Sequence, residues 1–206
     1  MASQTTPPDL VPSLTDSQVE AFLREHLKDF HPEIGRIASV WAMMEFRMDQ
    51  IIWELMGVEQ TLGACLTTQL HGSAPRLRVL KSLMELRGSS PALITKLNKF
   101  SADILKPQED RNRAVHDPWF VGVKSKEVSQ IRKATIDNKI VYERFPVASE
   151  DLKSIYRASV AMLKRFLALR NEILMEPLSA LRERSRKRLY RAGLEGGMLS
   201  SPGKNP

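Results

Sequence analysis

The chain has 206 residues, 42% of them apolar and 27% charged, with a formal net charge of +7. Those proportions fit a folded globular protein large enough to bury a core without disulfides or a structural metal, and they exclude a disordered or fibrous chain. The only cysteine, Cys65, excludes an intramolecular disulfide and a cysteine metal cage, and it suits the reducing cytoplasm where this protein is expected to reside.

Residues 1–14 include Pro7, Pro8 and Pro12 and read as a disordered tail without the basic and apolar regions of a signal peptide. No apolar run approaches the length of about 18 residues that a membrane span needs, so no membrane partner is expected. Thr15, Asp16 and Ser17 are capping candidates, with Gln18 and Glu20 three positions after Thr15 and Ser17, which predicts a first helix over 17–30. A second helix follows from Ile34, Ile37, Trp41, Met44, Met48, Ile51 and Leu55, spaced alternately by three and four, with Arg47, Asp49 and Glu54 elsewhere on the wheel. Glu45 lies at the border of that stripe, either as a rim residue or as a partner for a basic site residue.

Two shorter helices are predicted over 60–70 and 75–86, divided by His71, Gly72 and Ser73. Gly88-Ser89-Ser90-Pro91 is a break, with Ser90 as N-cap and Pro91 at the first position of a fifth helix carrying Leu93, Leu97, Phe100 and Ile104 on one face. Pro107 leaves two courses open: a kinked continuation, or a new helix beginning there. After Pro118 the pattern turns to short strands over 119–123, 128–135 and 139–144, the last two around an Asp137-Asn138 turn. A long helix then runs over 149–175, with Leu152, Ile155, Met162, Leu163, Phe166, Leu169 and Ile173 on its apolar side and the small Ser159 at the one gap. Pro177 opens a last helix to about Arg191. The fold class that results is mainly all-α: a bundle of six or seven helices with a small β-meander inserted around 119–145. It forms a single domain over 15–192, followed by a disordered tail over 193–206.

The densest chemical cluster is Glu109-Asp110-Arg111-Asn112-Arg113-Ala114-Val115-His116-Asp117-Pro118-Trp119. If the fifth helix ran through Pro107 in register, Arg111 and Val115 would continue its apolar stripe, with Asn112 and His116 on the same side. With a break, the one-turn spacing of Asn112 and His116 survives. Arginine offers a permanent charge and a planar fork suited to phosphate. Histidine titrates near neutrality and can move a proton to or from a ribose hydroxyl. Asparagine can orient either one. These are the parts of metal-independent RNA cleavage by a 2′-hydroxyl; they are equally the parts of a structural hydrogen-bond network at a helix C-terminus.

Arg111-Asn112-Arg113-Ala114-Val115-His116 resembles the Arg-x(4–6)-His motif of HEPN domains, including the polar residue directly after the arginine. The helical context, the Pro118-Trp119 pair, the short strands and the closing amphipathic helix are similar to a set of bacterial HEPN-like proteins. The resemblance covers about 32–175 in architecture and about ten residues in motif. It implies a helical bundle of a kind that often dimerises, and either a metal-independent endoribonuclease of a toxin–antitoxin, defence or RNA-processing system, without cofactor or metal, or a member that has lost activity and serves as a binding or scaffold domain. By the same resemblance Arg111 would contact the scissile phosphate, Asn112 would orient the site, and His116 would transfer the proton or position the ribose. Asp117 departs from the glycine often found after the histidine; its carboxylate would either orient His116 or repel an RNA phosphate. The expected partners are a second copy of the chain, RNA and an antitoxin or other protein.

A second candidate is the basic run Arg182, Arg184, Arg186, Lys187 and Arg188, a set of RNA-phosphate contacts or a solvated terminal helix. His26, His31 and His71 have no ligand spacing, so no metal site is expected. The alternative to an enzyme is a non-catalytic helical interaction or nucleotide-binding module in which the motif is structural.

Overall fold

A computed structural model describes residues 15–136 and 139–176. Among these residues the chain forms seven helices and one three-stranded antiparallel sheet, so the mainly helical architecture with a small β insertion holds. The predicted helix over 177–191, both tails and the Asp137-Asn138 turn lie outside the described residues.

Of the two candidate pairs, helix α1 (Asp16–Leu27) starts with the capping box of Thr15 and Gln18, which satisfy each other's backbone N–H groups. Helices α2 (His31–Met56) and α7 (Ser149–Met175) are the longest, at 26 and 27 residues. Between them come α3 (Gln60–Thr67), α4 (Ser73–Arg87), α5 (Pro91–Asp103) and α6 (Leu105–His116), then β1 (Trp119–Val121), β2 (Val128–Ile136) and β3 (Lys139–Pro146). Helix α4 begins two residues before Pro75, which occupies the third helical position. That place is open to proline because the first N–H groups have no intrahelical acceptor.

The helix break near Pro107 falls at Ile104, between α5 and α6. Proline has no N–H to donate to the carbonyl of Asp103, four residues earlier, and its ring crowds that oxygen. Helix α5 therefore ends at Asp103, and Pro107 sits in the first turn of α6. The continuous apolar stripe that would have carried Arg111 inward does not form. Ala114 is the buried residue of α6, and Arg111 is half-buried.

The described residues divide into two compact units, each served by part of α2 and part of α7. The first unit comprises residues up to Trp41 with Leu105–Met162. Its core holds Leu27, Phe30, Ile37, Trp41, Ala114, Leu152 and Met162. Ser159, the gap in the α7 stripe, is wholly buried. It leaves room for the Trp41 indole, whose Nε1–H donates to Ser159 Oγ at 2.9 Å, while that hydroxyl donates to Ile155 O at 2.8 Å. At the start of α7, hydrogen bonds and charge from Lys153 and then Arg157 hold the exposed Glu150 carboxyl below its ordinary range.

The second unit comprises Ala42–Ile104 and the chain from Leu163 onward. Met44, Met48, Ile51, Leu80, Met84, Leu97 and Phe166 are fully buried there. Helix α5 runs antiparallel to the C-terminal half of α7. Lys96 pairs with Glu172 at 2.5 Å, Asp103 with Arg165 at 2.6 Å, and the Phe100 and Phe166 rings lie between them with centroids 5.5 Å apart. Helix α3 closes on Trp53 through Gly63, where a Cβ atom would overlap the indole. Asp49, placed by periodicity among the exposed charges of α2, is buried instead because Arg76 of α4 covers it.

Candidate functional site

Helix α6 stops at His116 because Pro118 disfavours helical geometry at Asp117. The last N–H of the ladder is that of Asp117, which donates to Arg113 O at 3.0 Å. The sheet adds two donors to the carbonyls of this last turn, one of which has no acceptor role within the helix ladder. Gln130 Nε2 of β2 donates to Arg113 O at 3.0 Å, and Trp119 Nε1 of β1 donates to Ala114 O at 3.2 Å. The end of α6 is thus held at fixed geometry by neighbouring residues on one face of the sheet. Trp119 also packs edge-on against Phe30, with ring centroids 5.7 Å apart.

On this held end, Arg111, Asn112 and His116 meet. The Arg111 Nη1 group donates to Asn112 Oδ1 at 3.0 Å and approaches His116 Nε2 to 3.2 Å. A guanidinium can only donate, so Nε2 is the acceptor, and the imidazole carries its proton on Nδ1 in this arrangement. Asn112 and His116 are exposed and Arg111 is half-buried. Arg111 Nε is a buried donor without an acceptor among the described residues. Because Nη1 makes both bonds, Nη2 is the guanidinium edge left for a ligand oxygen. The other charges of α6 pair along its surface, Lys106 with Asp110 at 2.6 Å and Glu109 with Arg113 at 2.5 Å, so Arg111 is the α6 cation that faces the histidine.

The remaining candidates fall as follows. Asp117 is half-buried next to His116 and is tied in through its backbone N–H. Glu45 accepts from Ser73 Oγ at 3.4 Å and lies 3.9 Å from Arg76. Arg182, Arg184, Arg186, Lys187 and Arg188 lie outside the described residues. Sequence reasoning did not single out Gln130, Arg132 or Phe145, which belong to the sheet face against α6. Their signal was the alternation of 128, 130 and 132 in β2, which marks one face but does not say what that face covers. Comparison of the chain with protein-family models, with curated proteins and with solved structures gives no match.

Proposed function

We propose that this protein is a HEPN-type endoribonuclease that cleaves RNA without a metal ion, with Arg111, Asn112 and His116 as its site. The observation that carries the reading is the single Arg111 Nη1 group, 3.0 Å from Asn112 Oδ1 and 3.2 Å from His116 Nε2 at an exposed helix end. A permanently charged fork beside a titratable ring is the pair that phosphoryl transfer from a 2′-hydroxyl needs. In the reaction, the 2′-hydroxyl displaces Arg111 Nη1 from His116 Nε2, and Nε2 takes its proton as that oxygen attacks the adjacent phosphorus. The bond from phosphorus to the 5′-oxygen breaks, and the 5′-oxygen takes a proton from solvent. Arg111 stabilises the charge on the phosphorane oxygens, and Asn112 keeps the guanidinium aimed. The products are a 2′,3′-cyclic phosphate and a 5′-hydroxyl.

The test is to incubate purified protein with RNAs of varied sequence in EDTA and to analyse the ends. Cleavage yielding 2′,3′-cyclic phosphates, lost in His116→Ala with the melting temperature within a few degrees of wild type, is the expected result. No cleavage of any RNA, or equal cleavage by the variant, rejects the reading. A second reading makes the motif structural within a non-catalytic or nucleotide-binding module. The hydrogen bonds from Gln130 and Trp119 favour it, since they use the end of α6 to dock the sheet.

A further inference from the structure

Asp117 poses a problem for any polyanion at this site: it sets a carboxylate one residue from His116. The sheet provides the answer. Beyond β1, the carbonyl of Pro118 accepts the Ile131 N–H at 3.1 Å. The β1–β2 register pairs Trp119 with Gln130. The Pro118–Ile131 bond continues that register by one pair, so Asp117 and Arg132 are the residues that flank this pair, one on each segment. Side chains alternate along a strand, so Arg132 shares the face of Gln130, the residue bonded to the α6 terminus, and sits about 7 Å further along β2.

Arg132 is poised rather than neutralised. Its guanidinium lies over the Phe145 ring, 4.2 Å from the centroid. Its Nε is buried without an acceptor among the described residues. Its cross-strand neighbour is Glu143, yet no ion pair joins them among the described residues. A guanidinium stacked on an aromatic ring keeps its hydrogen-bonding edge free and loses little conformational freedom on binding an oxyanion.

We propose that Arg132 is a second phosphate-binding residue of the site, held by Phe145, which offsets Asp117 and receives an RNA phosphate next to the scissile one. This rests on the ribonuclease reading for the identity of the ligand, but it concerns binding rather than cleavage.

The experiment measures binding of a fluorescent single-stranded RNA to His116→Ala protein across a salt series, with and without Arg132→Ala, Arg132→Lys or Phe145→Leu. It is paired with the kcat and KM of cleavage for the same substitutions in the protein that retains His116. Arg132→Ala should weaken binding at least tenfold and make the slope of log affinity against log salt shallower by about 0.7, the value for one phosphate on a single strand. KM should rise at least tenfold, with kcat within about threefold. Arg132→Lys should restore the salt slope, and Phe145→Leu should weaken binding without changing that slope. Binding and KM unchanged in Arg132→Ala, or a salt slope unchanged by it, overturn the proposal. RNA binding that depends on Arg132 in a protein that cuts no RNA would leave the proposal standing and reject the ribonuclease reading. Cleavage that is indifferent to Arg132 would do the reverse, and absence of RNA binding by the protein would reject both.

Discussion

Arg76 and Asp49, 27 residues apart, face each other through two parallel hydrogen bonds, Nε to Oδ1 at 2.8 Å and Nη2 to Oδ2 at 3.0 Å. The same guanidinium donates through Nη1 to the carbonyls of Leu70 and Gly72, so one arginine fastens the α3–α4 connection to α2. Both residues are buried.

Removing one member of a buried pair leaves the other charged and desolvated, which costs about 3–5 kcal/mol. Arg76→Ala is therefore expected to lose stability in that range in urea unfolding. Arg76→Lys should fall between, because an ammonium keeps the charge but not the fork. An Arg76→Ala protein as stable as wild type would show that the pair contributes nothing.

Arg111 should behave differently. It is half-buried and its partners Asn112 and His116 carry no negative charge, so Arg111→Ala strands no buried ion. The expected loss is about 1 kcal/mol, the usual net worth of such hydrogen bonds. On the ribonuclease reading, cleavage disappears in the same variant. A loss of about 3–5 kcal/mol would instead mark the motif as a structural network and support the non-catalytic alternative.

Much of the fold can be read from periodicity, because helix faces depend on residues three and four apart. The stripe from Ile37 to Leu55 is buried as its spacing implies, and so are Leu152, Met162, Phe166, Leu169 and Ile173 of α7. The gap at Ser159 was visible, but its reason was not, since Trp41 lies 118 residues away. Asp49 looked like a surface charge for the same reason: its partner is on another helix. The site shows the same division. The grouping of Arg111, Asn112 and His116 follows from spacing within one helix. The facing of that helix depended on where Pro107 would stop the ladder, and the break at Ile104 resets it. Arg132 was invisible because strand alternation gives a face but not its neighbour.

The Trp41–Ser159 contact gives a third prediction. Ser159→Ala keeps the space but leaves the buried indole N–H without its acceptor, at a cost of about 1–3 kcal/mol. Thermal unfolding should show the loss, and Ser159→Leu should be worse, because the added carbons have to displace the ring. A Ser159→Ala protein with an unchanged melting temperature would show that the bond is immaterial.

Gly63 gives a fourth. The Trp53 indole occupies the place where a Cβ would stand, and Trp53 Nε1 donates to Thr67 Oγ1 at 3.1 Å one turn further along α3. Alanine favours a helix over glycine by about 1 kcal/mol, yet Gly63→Ala is expected to destabilise by about 1–3 kcal/mol, because overpacking outweighs propensity here. A more stable Gly63→Ala protein would show that α3 can shift off the indole without penalty.

Each of the three tryptophans spends its indole N–H on a protein acceptor: Trp41 on Ser159, Trp53 on Thr67 and Trp119 on Ala114. Trp41 and Trp53 are buried, whereas Trp119 is half-buried and bonded to the end of the helix that bears Arg111 and His116. The chain thus carries its own optical probe. Its emission should have a constant contribution from two enclosed indoles and a variable one from Trp119, so a molecule seated at the end of α6 can be followed by fluorescence without a label.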